Sequence, residues 1–127
     1  MTIAEVCKKY DISQDTIRYY EKIGLLPKIP RTTNGIRDFD EKSCRWIEFI
    51  KCMRNAGMEI EILQKYITLF KQGRKTIDDR KSLLEEQRRK LLEKKENINN
   101  TLKRLDYKIE LYDEIISGKR KDFTEEI

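Results

Sequence analysis

Residues 12–27 read ISQDTIRYYEKIGLLP, and the fold turns on how this stretch is punctuated. Ser13 is a good helix N-cap, and Ile12 before it can pack on Ile17 as a hydrophobic staple, so a helix is expected from Gln14. Gly24 can take the left-handed conformation that ends a helix, and Pro27 forbids continuation, which closes the helix at about Ile23. Upstream, T-I-A-E at residues 2–5 is a capping box for a helix starting at Ile3, whose apolar residues Ile3, Val6, Cys7 and Tyr10 recur at helical spacing. Asp11, Ile12 and Ser13 are left as a tight turn. Two short helices joined so closely form a helix-turn-helix, in which the second helix enters the major groove of DNA.

On that second helix Ile17 and Tyr20 share the face that must be buried, while Gln14, Asp15, Arg18 and Tyr19 point away from it. Arginine can fork onto guanine edges or phosphates, and a tyrosine hydroxyl can bond a phosphate while its ring shields the contact from water. Ser13, Gln14, Thr16, Arg18 and Tyr19 are therefore the candidate DNA contacts of the helix.

After Pro27 the sequence KIPRTTNGIRDF carries β-formers on both sides of Asn34-Gly35, the dipeptide suited to a two-residue type I′ hairpin turn. The expectation is a small β-wing, with Arg31, Thr33, Asn34 and Arg37 as phosphate contacts. Asp40 can cap a third helix running to about Ala56 and stopped by Gly57, with Trp46, Ile47, Phe49, Ile50 and Met53 on its core side. A fourth runs from about Glu59 to Gln72, with Ile60, Leu63, Tyr66, Ile67 and Phe70 at helical spacing and Gly73 as its end.

From Thr76 to about Ser117 no glycine or proline occurs, so one long helix is expected. Ile77, Leu84, Leu91, Ile98, Leu105 and Tyr112 recur every seven residues. The companion heptad position reads Lys81, Arg88, Lys95 and then Leu102, Ile109 and Ile116, so only the C-terminal half carries a full two-position seam. Leu91, Ile98, Leu102, Leu105, Ile109, Tyr112 and Ile116 are the expected dimerisation residues of a coiled coil. The organisation is then a winged helix-turn-helix domain over residues 1–73, a dimerisation helix over 74–118 and a short polar tail over 119–127. The fold class is all-α with a small β-hairpin wing.

Composition narrows the function. The chain has 127 residues, 38% hydrophobic and 40% charged, lean for one compact globule. Its formal charge of +5 is local, because residues 22–37 hold Lys22, Lys28, Arg31 and Arg37 and no acid, whereas residues 59–127 balance 17 basic against 15 acidic side chains. Such a patch attracts phosphate, acidic protein or anionic lipid. No run is long and apolar enough for a membrane span, and no secretory leader is evident, which points to the cytoplasm. Three widely spaced cysteines, Cys7, Cys44 and Cys52, are no disulfide framework, and eight residues of helix put Cys44 and Cys52 about 12 Å apart along the axis. With no histidine, no metal constellation and no Gly-rich phosphate loop, neither a catalytic site nor a metal or cofactor site is expected. A protein–protein module with a coiled coil and a basic wing is the alternative to a DNA binder.

The stretches IAEVCKKYDISQDTIRYYEKIGLLP, TTNGIRDF and WIEFIKCMRNAGM resemble the MerR family of bacterial transcription regulators over essentially the whole chain. The R-Y-Y-E and G-L-L-P pieces with the N-G-x-R wing are specific in combination. The resemblance implies a winged helix-turn-helix homodimer, held by an antiparallel coiled coil, on a pseudo-palindromic operator in double-stranded promoter DNA. It also implies activation by twisting an overlong spacer until RNA polymerase can read both promoter elements, and a place at the bacterial nucleoid. FIKCMRNAG resembles the small AdhR/NmlR-like branch, which implies a response to aldehyde or nitrosative stress through one cysteine. Only about ten residues follow Ser117, too few for a ligand domain, so the signal is expected to be read at Cys52. Its neighbours Lys51 and Arg54 favour the reactive thiolate. The competing reading keeps the family and makes Cys52 packing only.

Overall fold

The structure, a computed structural model, describes residues 1–120. Five α-helices follow in order: α1 (Ile3–Tyr10), α2 (Gln14–Lys22), α3 (Glu41–Asn55), α4 (Ile60–Lys71) and α5 (Ile77–Ile116), with a single 3₁₀ turn, Arg74–Thr76, ahead of α5. The residues group into two compact units, Met1–Glu85 and a second beginning at Glu86. The expected tail falls, from residue 121 on, outside the described residues.

The start of the chain follows its punctuation closely. The Thr2 hydroxyl accepts from the Glu5 amide and the Glu5 carboxylate accepts from the Thr2 amide, each at 3.2 Å, so both halves of the capping box are present. Asp11 ends α1 in the left-handed region at φ +50°, a conformation that aspartate tolerates better than most residues. The Ser13 hydroxyl then accepts from the Thr16 amide at 3.1 Å and starts α2. At the far end Gly24 has φ +79°. Its amide bonds Glu21 O at 3.2 Å and the Leu25 amide bonds Tyr20 O at 2.8 Å, the paired bonds of a Schellman stop, so a side chain at Gly24 would strain the backbone.

The core of the first unit is one cluster in which Val6, Ile17, Leu25, Leu26, Ile29, Phe39, Cys44, Ile47, Ile50, Leu63 and Ile67 are all buried. Leu25, Leu26 and Ile29 bring the segment after α2 into that core, so residues that read as an exit from a helix serve as anchors. Each such side chain contributes roughly 1.5 to 3 kcal/mol on burial, more than the ~1 kcal/mol typical of a single helix cap. Trp46 and Phe49 of α3 meet Tyr66 and Phe70 of α4, the Trp46–Phe70 centroids lying 4.9 Å apart edge to face.

Two expectations require correction. The segment after Pro27 does not form a strand ladder among the described residues; a single antiparallel bridge joins Arg31 and Arg37. Its turn is not type I′ either. The Gly35 amide bonds Thr32 O at 2.9 Å, which places Thr33 and Asn34 at the centre, and only Gly35 has positive φ, +80°. A type I′ turn needs positive φ at both central residues, and a glycine one place later instead makes a three-residue loop with a bulge. Asn34-Gly35 marks the turn but sits one position later in it than the dipeptide pattern implies.

α4 has Glu59 at its N-cap position and no side-chain cap bond; the longer Glu side chain is not among the good N-caps, although its charge still suits the helix dipole. Thr76 is a feature that periodicity does not show. It is buried, and its hydroxyl donates to Leu69 O at 2.5 Å, tying the end of α4 to the turn before α5.

Candidate nucleic-acid interface

α2 presents two faces, as its sequence requires. Ile17 is fully buried, while Tyr19 is 48% exposed and Arg18 is exposed beside it. Arg18 Nη2 donates to Gln14 Oε1 at 3.3 Å, so two candidate contacts one turn apart already share a hydrogen bond on the outer face. The Tyr19 and Tyr20 rings lie 6.2 Å apart at 46°, with Tyr20 packed toward the core. Ser13 and Thr16 share a hydroxyl contact of 2.7 Å, and Ser13 also caps the helix. Their first role is to hold the helix start.

The 31–37 loop follows the same division. Thr33 and Asn34 are exposed at its tip. Arg31 Nη1 donates to Gly35 O at 2.8 Å, bracing the loop while its other guanidinium nitrogens stay at the surface. Ile36 is 59% exposed, an apolar side chain among polar neighbours that the sequence reading did not single out. Arg37 stands apart from the other candidates. Its Nε lies 2.8 Å from Glu21 Oε1 of α2, and both atoms are shut off from water. The N–H does not point straight at the oxygen, so the contact is an ion pair held by distance and burial rather than a well-formed hydrogen bond. Arg37 therefore does not stand free as a phosphate contact. Glu21 is the residue that sequence reasoning missed, although R-Y-Y-E and N-G-x-R supply its two halves: the last letter of each meets the other in space.

The positive charge left at the surface of α2 and the loop comes from Arg18, Lys22, Lys28 and Arg31, all exposed. Near the N-terminus the Met1 amine donates to Asp38 Oδ1 at 3.0 Å and to Phe39 O at 3.1 Å, which fixes the chain that leads from the loop to α3. The Asp38 carboxylate raises the Met1 amine above its ordinary pKa.

Cys52 is exposed, Cys7 is partly buried and Cys44 is buried, with Cys44 Sγ 3.9 Å from Phe39 O. The cations next to Cys52 in sequence are occupied elsewhere. Lys51 Nζ donates to Tyr10 O and Asp11 O, and Arg54 Nη1 donates to Met58 O at 2.8 Å. Adjacent helix positions point in different directions, so adjacency in sequence does not bring these charges to the thiol. Among the described residues no three His, Cys, Asp or Glu side chains come together to hold a metal, and no helix is long and apolar enough to cross a membrane. In the second unit Leu91, Ile98, Leu102, Leu105, Ile109, Tyr112 and Ile116 are all exposed, a periodic apolar stripe of the kind that buries itself against another helix.

Comparison with known proteins places this geometry. The profile described as MerR HTH family regulatory protein matches residues 1–69, and that described as MerR, DNA binding matches residues 44–107. The HTH-type transcriptional regulator AdhR of Bacillus subtilis is 51% identical over 93 residues, a match that covers 73% of this chain and 66% of that protein's length. A crystal structure from Listeria monocytogenes assigned to the MerR transcriptional regulators superposes with a TM-score of 0.89 at 42% identity, covering 94% of this chain and 91% of that one. HiNmlR, a MerR family regulator lacking the sensor domain and crystallised on promoter DNA, superposes with a TM-score of 0.83 at 31% identity, covering 91% of this chain and 92% of that one.

Proposed function

The chain belongs to the MerR family of helix-turn-helix regulatory proteins, a family of transcription regulators rather than enzymes, and on that premise we propose that it regulates a promoter as a homodimer bound to double-stranded operator DNA. The observation that carries the reading is the outer face of α2, where Arg18, Gln14 and Tyr19 stand exposed beside a basic loop. In this reading α2 enters the major groove. Arg18 and Gln14 read base edges or phosphates, Tyr19 bonds a phosphate, and the 31–37 loop acts as the wing, setting Arg31, Thr33 and Asn34 on the neighbouring backbone. Ser13 and Thr16 hold the start of the helix against the same strand. Two copies pair through the α5 stripe as an antiparallel coiled coil, so that two half-sites are read by tethered domains. Repositioning of the promoter for RNA polymerase is the mode of activation, in the cytoplasm at the nucleoid.

Sensing is assigned to Cys52. Its exposure supports this, since a thiol at the surface is open to an electrophile and is not core filler. The similarity to a regulator described as lacking the sensor domain supports a signal read within the body of the chain. The thiolate adds to an aldehyde carbonyl carbon, the C=O π electrons move to oxygen, and a proton from water completes the hemithioacetal; other electrophiles and oxidants act at the same sulfur. The two sequence-adjacent cations do not supply the activation, because both are engaged elsewhere.

The test is binding of the purified protein to DNA recovered by selection. Affinity for the selected duplex should fall steeply as salt rises, with a log–log slope of about 0.9 for each phosphate neutralised, and should exceed that for a scrambled duplex by at least ~10³-fold. Weak binding that does not discriminate between the two duplexes would instead favour a protein–protein module.

A further inference from the structure

The ion pair between Glu21 and Arg37 has no counterpart in a simple division of the surface into DNA-facing and core-facing groups. Glu21 lies in the last turn of α2 and Arg37 at the base of the 31–37 loop, where its backbone pairs with that of Arg31. Their side chains are only 22% and 30% exposed, and Arg37 Nε lies 2.8 Å from Glu21 Oε1. The other bonds of the loop close it on itself: Thr32 N to Ile36 O at 2.8 Å, Gly35 N to Thr32 O at 2.9 Å and Asp38 N to Pro30 O at 2.8 Å. Those bonds fix the shape of the loop. Buried Ile29 and Phe39 and the Met1 bonds to Asp38 and Phe39 anchor its base to the core, and the Glu21–Arg37 pair ties it to α2 itself.

We propose that Glu21 and Arg37 are positioning residues, a strut that sets the spacing between the groove-reading face of α2 and the 31–37 loop, and that neither contacts DNA. The proposal rests on the DNA-binding reading above and deepens it. An interface with two separate elements binds well only when both meet the duplex at one fixed separation, since ordering a loose element on binding costs affinity. The strut also neutralises Glu21. An acid in the last turn of a helix laid against phosphates would repel them, and Arg37 cancels that charge at the cost of its own availability to the backbone of the DNA.

This separates the proposal sharply from the expectation that Arg37 grips a phosphate. If Arg37 were a phosphate contact, Glu21→Gln would release it and remove a negative charge, so binding would tighten. If the pair is a strut, the same substitution loosens the loop and weakens binding although the protein becomes more positive. The two ideas predict opposite signs.

The experiment measures affinity for the selected operator as a function of salt for wild type, Glu21→Gln, Arg37→Gln, the double variant and the charge swap Glu21→Arg with Arg37→Glu. Wild-type binding with its salt dependence tests the DNA-binding reading by itself. The strut predicts that each single variant binds about 3-fold or more weakly, that the double variant is no worse than the weaker single, and that the swap recovers much of the loss. The salt slope of Arg37→Gln should match that of wild type. Tighter or unchanged binding by Glu21→Gln, or a slope lowered by about 0.9 in Arg37→Gln, would overturn the proposal in favour of a direct phosphate contact. Thermal unfolding of every variant accompanies the binding. Should a single variant be unfolded at the working temperature, the folded charge swap decides, because restored charge without restored binding rejects the strut.

Discussion

Lys51 of α3 donates a hydrogen bond to the carbonyl oxygen of Tyr10, the last residue of α1, and a second to that of Asp11 at 3.3 Å. The two partners lie about forty residues apart, so this side chain clamps the helix-turn-helix corner to the body of the domain. It meets carbonyls that have no partner inside α1 and places a positive charge at the negative end of the helix dipole. Replacing Lys51 with methionine keeps the stem and removes the donors. Chemical denaturation should then show a stability loss of about 1 to 2 kcal/mol. A midpoint equal to that of wild type would show that water serves those carbonyls as well as the lysine does.

Arg18→Ala and Tyr19→Phe probe the outer face of α2. Both side chains are exposed, so their loss should leave the melting temperature within a degree or so of wild type. Operator affinity should nevertheless fall. If Arg18 reads a base, the cost is roughly 1 to 3 kcal/mol and discrimination at that base relaxes, whereas a phosphate role lowers affinity on all sequences alike and flattens the salt dependence. Unaltered affinity in both variants would remove this face from the interface.

The acid limb of stability should depend on Asp40. The Ser43 amide and hydroxyl both donate to its carboxylate, at 2.8 and 2.7 Å, and these bonds hold its pKa below the ordinary value. Glu5 is held low in the same way, chiefly by the Thr2 amide. A carboxyl whose pKa is depressed in the folded state contributes stability above its unfolded pKa of about 3.9 to 4.3, and loses it as pH falls through the folded value. Melting temperature measured from pH 6 down to about 2.5 should therefore drop below pH ~4. Asp40→Asn, which keeps a cap but carries no charge, should flatten part of that drop. An identical profile in that variant would assign the acid sensitivity elsewhere.

Local signals and long-range ones were not equally legible in the sequence. Thr2, Glu5, Ser13, Asp40, Gly24 and Gly57 each act on atoms within a few residues, so spacing alone places the caps and stops of α1 to α3. The turn at 32–35 was only half legible: Asn34-Gly35 marks where the chain reverses, but whether φ is positive at one residue or two depends on how the flanking segment meets the rest of the fold. Contacts between residues far apart in sequence left no periodic trace. Nothing in I-K-C-M-R says that Lys51 turns toward α1 and not toward Cys52, and no spacing rule pairs Glu21 with Arg37. From sequence alone an arginine in a basic hairpin looks free for a phosphate, and only the structure shows the Glu21 carboxylate 2.8 Å from Arg37 Nε.

The apolar stripe of α5 sets a test of assembly. Leu105 and Ile109 are exposed side chains four residues apart, on neighbouring turns of a forty-residue helix. In a paired helix they would sit in the seam. Replacing both with lysine should abolish pairing at micromolar concentration, since two charges would be buried without partners. Operator affinity should fall with it, by far more than a surface substitution causes, because each half-site loses a tethered neighbour. Sedimentation showing the same mass as wild type would place the interface elsewhere on the chain.

The three cysteines should separate cleanly by reactivity, and that separation tests the sensor. Exposure orders them: Cys52 is open, Cys7 partly covered and Cys44 buried. A small thiol reagent applied to the native protein should label Cys52 first, Cys7 more slowly, and Cys44 only at the rate of unfolding. In cells, promoter output on exposure to formaldehyde or methylglyoxal should respond in wild type, Cys7→Ser and Cys44→Ser, and should be lost in Cys52→Ser with operator binding retained. Cys52 lies on the same helix as Lys51, one residue from the side chain that clamps the helix-turn-helix corner. The thiol and the clamping amine point in different directions, so an adduct acts on the clamp only by re-packing α3 itself, and packed elements move between discrete arrangements rather than by small increments. Lys51→Met should accordingly blunt induction even though its own thiol is intact. Full induction in Cys52→Ser would place sensing elsewhere, and full induction in Lys51→Met would mean that the signal leaves Cys52 by another route.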